Sequence, residues 1–134
     1  MDWTIEVIVV PVSDVERSKR FYHEQLGFAV DTDFQPSESF RVVQLTPPGS
    51  ACSISIGVGL ASMPPGSLKG LQICVPDIQA AHAQLVERGV AVSAVQHFED
   101  GVQVEGPGGP WNSFIFFDDP DGNSWTIQEK PAKR

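Results

Sequence analysis

The chain has 134 residues and a net charge of −8, and no apolar run approaches the roughly 18 residues that a membrane-spanning helix needs. This length favours one domain with a substantial core, and the acidic balance argues against nucleic acid or a membrane as partner. The acidic N-terminus lacks the features of a secretion signal, so we expect a cytoplasmic protein. We expect Cys52 and Cys74 to be reduced core thiols, because both lie in apolar strand-like runs.

The first half of the chain predicts a strand, a helix and three further strands. The run Ile5–Val12 is rich in β-branched residues and predicts a largely buried strand. Ser13 and Glu16 form a capping-box pattern that begins a helix, and Gly27 is expected to end it in a left-handed conformation. The strands that follow are predicted over 28–34, 40–46 and 51–58.

The second half repeats this order after a linker rich in Gly, Pro and Ser. A strand over Leu71–Pro76 precedes a helix that Asp77 caps and Gly89 ends. A strand over 90–98 and a long loop over 99–112 come next. The chain then forms a hairpin around the turn Asp118-Asp119-Pro120-Asp121-Gly122, in which Gly122 supplies the positive φ.

The two halves match one another at corresponding landmarks. Three positions recur at offsets of 64, 63 and 62 residues: Val7 with Leu71, Asp14 with Asp77, and Gly27 with Gly89. Such self-similarity indicates a duplicated supersecondary unit. We therefore expect one domain over 1–134, made of two βαβββ units at 4–58 and 70–129 that are joined by a linker at 59–69.

Three segments resemble the vicinal oxygen chelate superfamily, which includes glyoxalase I, extradiol dioxygenases and bleomycin-resistance proteins. They are VPVSDVERSKRFYHEQLGF, VPDIQAAHAQLVERGV and FFDDPDGNSWTIQE, and the resemblance covers roughly residues 4 to 129. It implies an α+β fold in which two βαβββ units form a paired, cleft-shaped mixed sheet with helices on the outer face. It also implies a homodimer, since the family's cleft is often completed by a second subunit.

The resemblance further implies where a metal would bind. In the enzymes of the superfamily, four side chains hold a divalent metal that stabilises charge developing on the substrate. At the four corresponding positions this sequence has a valine, a leucine, a serine and a threonine. Valine and leucine cannot ligate a metal, and hydroxyls are poor ligands for the metals this scaffold holds. We therefore expect no metal and no other cofactor, which argues against metal-dependent lyase or dioxygenase activity. The four inherited positions fall on Val7, Ser53, Leu71 and Thr126.

Alternation along the strands predicts a ligand-binding lining that is mostly apolar with a few hydroxyls and an amide. The same alternation places Ile73 in this lining and Trp125 and Ile127 in the core. His97 could face the cleft as a hydrogen-bond partner or general base, and Trp111 either forms part of a lid or packs on the sheet. The predicted ligand-binding residues are Val7, Val9, Gln44, Ser53, Ser55, Leu71, His97, Trp111, Thr126 and Gln128.

Two functions are compatible with these patterns. The first is a metal-free protein, similar to the bleomycin-resistance branch, that binds a small, largely apolar or aromatic compound. The alternative is an enzyme of the same superfamily, a lyase, isomerase or dioxygenase, with a non-standard site around His97 and Glu99 or Glu105. A third possibility is a protein partner with a vestigial cleft.

Overall fold

The computed structural model describes residues 1–131 and divides into two compact units. Unit 1 comprises Met1–Leu68 and the turn Asp119–Asn123, and unit 2 comprises Lys69–Asp118 and the chain from Ser124 onward. Each unit contains one mixed β-sheet, of four strands in unit 1 and five in unit 2, which confirms the α+β class. Within residues 1–131, no helix has the length and apolar character to cross a membrane.

Unit 1 has the predicted order of strand, helix and three strands. Its sheet runs β1-β4-β3-β2, with β1 parallel to β4 and the other pairs antiparallel. A π-helical segment, Phe21–Gln25, directly continues the helix. The elements are β1 (Val7–Val9), α1 (Val15–Arg20), β2 (Ala29–Ser37), β3 (Phe40–Thr46) and β4 (Ser53–Val58).

The helix of unit 1 begins at Asp14, so the predicted capping box at Ser13 is wrong. The Asp14 carboxylate accepts a hydrogen bond from the backbone N–H of Arg17 at 3.0 Å. The Ser13 hydroxyl instead donates to Asp121 at 2.5 Å. Gly27 has the left-handed φ of 78° that was predicted for the helix end. One face of the sheet is buried on the helix side through Val43, Leu45, Ile54 and Ile56.

Unit 2 contains one strand more than the predicted βαβββ order. Asp77 caps the helix as predicted, accepting from the backbone N–H of Ala80 at 3.1 Å. The predicted strand over 90–98 begins only at Gln96, and the predicted loop over 99–112 contains a further strand. The elements are β5 (Leu71–Val75), α2 (Ile78–Glu87), β6 (Gln96–Glu99), β7 (Val102–Glu105), β8 (Phe114–Asp118) and β9 (Ser124–Glu129), in the sheet order β5-β9-β8-β6-β7.

The additional strand β7 exists because Asp100 and Gly101 form a tight turn between it and β6. Both residues have positive φ, 52° and 78°, which is the requirement of a two-residue type I′ hairpin turn. The Asp-Gly pair is a strong sequence signal for such a turn. The hairpin could therefore have been predicted from the sequence.

A buried polar cluster holds the turn Asp119–Asn123 in unit 1. The Asp119 carboxylate is 5% exposed and accepts hydrogen bonds from the Tyr22 hydroxyl and the Asn123 side-chain amide, each at 2.7 Å. It also accepts from the backbone N–H groups of Asp121 and Asn123, each at 2.9 Å. The Asn123 amide donates in addition to the Pro11 carbonyl at 2.8 Å. The turn is thus fixed by side chains distant in sequence.

Candidate functional site

In each unit we call the sheet face opposite the helix the helix-free face. In unit 1, the strand register pairs Val7 with Ser53 and Val9 with Ser55, and it pairs Gln44 with the same Ser55. Residues paired across neighbouring strands lie on the same side of a sheet. These five predicted residues of unit 1 therefore share one face, and their role in binding stays a prediction.

The position of Arg41 shows that this shared face is the helix-free one. The Arg41 guanidinium binds Glu16 of α1 at 2.6 Å and Asp33 of β2 at 2.7 Å, so Arg41 lies on the helix side. Hydrogen bonds from Arg41 and, second, from Lys19 hold the pKa of Asp33 well below its usual range. Gln44, three residues further along the same strand, lies on the opposite side. Gln44 and the residues paired with it therefore lie on the helix-free face.

Polar side chains cross the helix-free face of unit 1 in two neighbouring rows. In the first row the Ser53 hydroxyl, in a residue that is 4% exposed, lies 2.6 Å from the Thr46 hydroxyl, which in turn donates to the Asp31 carboxylate. In the second row, Ser55 is 5% exposed and Gln44 is half-buried. Neither of these two side chains has a hydrogen-bond partner within residues 1–131.

In unit 2 the prediction that Leu71 shares a face with Thr126 is wrong. The register of the parallel strands β5 and β9 pairs Leu71 with Trp125, which is 4% exposed and part of the core, and pairs Gln72 with Thr126. Leu71 therefore lies on the helix side, and Ile73 follows it by alternation. Gln72 takes the position expected for Leu71, and its amide donates to the side-chain oxygen of Gln128.

A different alignment of the two repeats would have identified Gln72. The pairs Val10-Pro11 and Val75-Pro76 end the first strand of each repeat, and matching them gives an offset of 65 that places Val7 opposite Gln72. The first unit has two more residues between this proline and the helix-capping aspartate. The offset of 64 that pairs Val7 with Leu71 lies between the offset of 65 at the prolines and that of 63 at the aspartates. It therefore misplaces the strand by one residue and inverts its faces.

His97 does not lie on the helix-free face, contrary to the prediction. The ring of Phe98 contacts Phe114, which pairs with Gln128 on that face, so alternation directs His97 to the opposite side. There its Nδ1 bonds to the Gly106 carbonyl at 2.7 Å, and its Nε2 lies 3.5 Å from the Glu99 carboxylate. Glu99 is thus the acidic neighbour of His97 that was predicted, and its side chain is 65% exposed. The pair lies on the opposite side of the sheet from Thr126.

A cluster of three phenylalanines on the helix-free face of unit 2 was missed by the sequence reasoning. Phe114 packs edge-on against Phe98, with ring centroids 5.4 Å apart, and lies parallel to Phe116 at 6.3 Å. The hairpin register pairs Phe116 with Thr126, and extending the alternation from Thr126 across the turn would have found it. Cys74 is exposed on this face, so its prediction as a core thiol is wrong.

Trp111 belongs to a loop that is tied to the sheet of unit 2. Its backbone has a φ of 62°, which is unfavourable for a bulky side chain and costs about 1–3 kcal/mol. The Gln128 amide donates to the Trp111 carbonyl at 2.7 Å. The next residue, Asn112, both donates to and accepts from the backbone of Phe98 at 2.9 Å. Trp111 is half-buried, and its roles as a lid or as a packing residue both stay predictions.

A separate cavity of about 260 Å³ lies in unit 1 near the start of α1. Val10, Val15, Leu60 and Met63 are among the side chains that line it. None of the five predicted binding residues of unit 1 borders this cavity.

Comparison with known proteins gives a family for this arrangement. The profile of the Glyoxalase/Bleomycin resistance protein/Dioxygenase superfamily matches residues 4–127. The chain belongs to this superfamily. A comparison with curated proteins gives no significant match.

Among solved structures of the superfamily, two from Streptomyces sp. CB03234 are similar to this chain. TnmS3, an antibiotic binding protein, is 37% identical with a TM-score of 0.77, over 96% of this chain and 97% of its own. A glyoxalase/bleomycin resistance protein is 38% identical with a TM-score of 0.73, over 93% and 99%. A superfamily member from Sphaerobacter thermophilus DSM 20745 is 28% identical with a TM-score of 0.76, over 96% and 98%.

The four positions that the resemblance implies for a metal carry side chains that are poor ligands for a divalent metal. In unit 1 these positions present Val7, which has no donor atom, and the hydroxyl of Ser53, which Thr46 already engages. In unit 2 they present the hydroxyl of Thr126 and, after the correction of register, the amide of Gln72. Across residues 1–131, no three His, Cys, Asp or Glu side chains are grouped so that they could hold a metal ion.

Proposed function

We propose that this protein binds a small, largely apolar or aromatic compound without a metal. The observation that carries the proposal is the composition of the two helix-free faces. They present valines and hydroxyls in unit 1, and phenylalanines, glutamines and a threonine in unit 2. Such surfaces orient a ligand through shape and a few hydrogen bonds.

The similarity to TnmS3 supports a binding role, because that protein is an antibiotic binding protein and the two chains align over nearly their full lengths. The alternative of an enzyme centred on His97 loses its basis, since that side chain lies on the helix side of its sheet. We further propose that the protein is a cytoplasmic homodimer. Light scattering coupled to gel filtration would test the dimer.

Calorimetric titration of the metal-stripped protein with a panel of aromatic natural products tests the binding role. We expect at least one compound to bind with a dissociation constant in the micromolar range. If none binds more tightly than about 1 mM, or about −4 kcal/mol, the proposal fails. Stoichiometric Ni, Zn, Fe or Mn in the freshly purified protein would contradict the metal-free part of the proposal.

A substitution in the phenylalanine cluster connects binding to the helix-free face of unit 2. Phe114→Leu keeps an apolar side chain but removes the central ring, so we expect an aromatic ligand to bind about three- to tenfold more weakly. Trp3→Leu is the matched control, because Trp3 is 88% exposed and precedes β1. Equal losses in the two variants would show that the cluster is not the contact surface.

A further inference from the structure

The oxygen atoms of Ser53, Thr46 and Asp31 form a hydrogen-bonded chain whose direction is fixed. A carboxylate only accepts hydrogen bonds, and a hydroxyl has a single proton to donate. The Thr46 proton is donated to Asp31, so the contact of 2.6 Å between the two hydroxyls requires Ser53 to donate to Thr46. The Ser53 oxygen can then only accept a hydrogen bond from any further group.

The strand β2 is distorted at the position that completes this chain. Its register with β3 shifts between Val30 and Thr32, which leaves Asp31 as the additional residue of a β-bulge. A bulge changes the direction of a side chain, and bulges are enriched next to functional sites. Asp31 thereby reaches the Thr46 hydroxyl on the helix-free face.

Two polar side chains without a hydrogen-bond partner in the described part of the protein lie beside the hydrogen-bonded series of Ser53, Thr46 and Asp31. Ser55 is 5% exposed, and its cross-strand neighbour Gln44 is half-buried. Buried polar groups in native proteins are nearly always satisfied, by the protein, by water or by a ligand. Among residues 1–131, Ser18 Oγ is the one side-chain polar atom that is both fully buried and unpaired, so the polar atoms of Ser55 and Gln44 keep some access from outside. An accessible, unpartnered hydroxyl next to an unpartnered amide therefore indicates a place for a polar group of a ligand.

We propose that the polar strip formed by Ser53, Ser55 and Gln44 selects ligands that present a hydrogen-bond donor, a hydroxyl, phenol or amine, to the Ser53 oxygen. The inference rests on the proposed binding function and adds the chemical group that unit 1 recognises. Val7 and Val9 pair with Ser53 and Ser55 and would contact the apolar part of the same ligand.

The polar strip is selective because the hydrogen bonds from Ser53 to Thr46 and from Thr46 to Asp31 run in one fixed direction. A ligand with an ether oxygen in place of the donor would bring one acceptor against another, and the Ser53 oxygen would stay unpaired. A site built around a hydrogen bond discriminates strongly against an analogue that lacks it. If the hydrogen bond between Ser53 and Thr46 could reverse its direction, Ser53 could donate its proton to the ligand and this discrimination would be lost.

Binding of 2-naphthol and 2-methoxynaphthalene, measured calorimetrically, tests the inference. We expect the wild-type protein to prefer the naphthol about tenfold, the size of one hydrogen bond. Asp31→Ala frees the Thr46 proton and Thr46→Val breaks the chain, so in both variants we expect the preference to fall to about twofold or less. Comparing the ratio of the two affinities between variants cancels the difference in hydration between the two compounds.

Glu38→Ala is the matched control, because it removes a carboxylate from the turn between β2 and β3 without affecting the hydroxyl chain. It should keep the wild-type preference, and circular dichroism should show all variants folded. An equal preference in wild type, Asp31→Ala and Thr46→Val would overturn the inference and leave the proposed binding function intact. Failure of both compounds to bind the wild-type protein would overturn the inference, whereas the proposed binding function fails only if no compound of the natural-product panel binds.

Discussion

The hydrogen bond between Tyr22 and Asp119 predicts a substantial loss of stability when a single oxygen atom is removed. Tyr22 is fully buried, and its hydroxyl donates to the Asp119 carboxylate at 2.7 Å. In Tyr22→Phe the ring keeps its contacts with Phe28 at 5.7 Å and Phe21 at 5.2 Å. A hydrogen bond to a charged group contributes about 1.5–3 kcal/mol, and Asp119 keeps three other donors. We expect the free energy of unfolding to fall by about 2 kcal/mol.

Two further variants define the expected order of effects. Asp119→Ala removes the acceptor of all four hydrogen bonds and leaves buried donors unpaired, so it should cost more than Tyr22→Phe, about 3–5 kcal/mol. Asp118→Asn changes an exposed neighbouring carboxylate and should cost less than about 0.5 kcal/mol. Urea unfolding, followed by the fluorescence of the buried Trp125, gives the free energies. A Tyr22→Phe variant within about 0.5 kcal/mol of wild type would refute the reasoning.

Two other predictions concern unit 1. Gly66 and Gly49 both have a φ of 80°, but only at Gly66 would an added Cβ meet a backbone atom, the Asp121 carbonyl oxygen at 2.1 Å. Gly66→Ala should therefore lower the free energy of unfolding by about 2 kcal/mol or more beyond the loss in Gly49→Ala, and its melting temperature should be clearly lower. Equal losses in the two variants would contradict this packing. The second prediction concerns Asp33, whose pKa is lowered beside Arg41, so that the unfolded state takes up the proton more readily than the folded state. The ionised Asp33 therefore contributes to the free energy of unfolding above about pH 4, and this contribution is lost as the pH falls further. Because the pair is partly exposed, Asp33→Asn should lower the free energy of unfolding by about 0.5–1 kcal/mol at pH 7. The difference from wild type should shrink between pH 5 and pH 2, and a difference that stays constant over this range would contradict the prediction.

Local backbone chemistry explains which parts of the fold the sequence predicts well. Asp77 as a helix cap and the left-handed Gly27, Gly89 and Gly122 follow from the conformational preferences of single residues, and the structure confirms all four. Ser13 fails as a cap because an adjacent residue competes for the role and a distant carboxylate, that of Asp121, binds the Ser13 hydroxyl. Contacts over more than 100 residues in sequence cannot be derived from a local pattern.

The strand faces that carry the candidate site were predicted well in unit 1 and less well in unit 2 for a geometric reason. A strand has a period of two residues, so an error of one position exchanges its two faces completely. In unit 1, strands β1, β3 and β4 pair without a register shift, and Val7, Ser53 and Gln44 share a face as predicted. In unit 2 the repeat alignment was off by one at Leu71, and β6 begins six residues later than the sequence suggested, which left the direction of His97 undetermined.

Strand β9 shows how one strand can keep the packing of the superfamily's fold while the chemistry of its other face changes. Trp125 and Ile127 are buried on the helix side, and Trp125 stacks on Phe117 at 6.1 Å, so these positions contribute to folding. Thr126 and Gln128 alternate with them on the helix-free face, where Gln128 bonds to Gln72 and to the loop carbonyl of Trp111. Because successive residues of a strand point to opposite faces, the ligand chemistry of even-numbered positions can change while the packing of odd-numbered positions is retained. The same strand therefore packs the fold through one face and presents hydroxyl and amide side chains on the other.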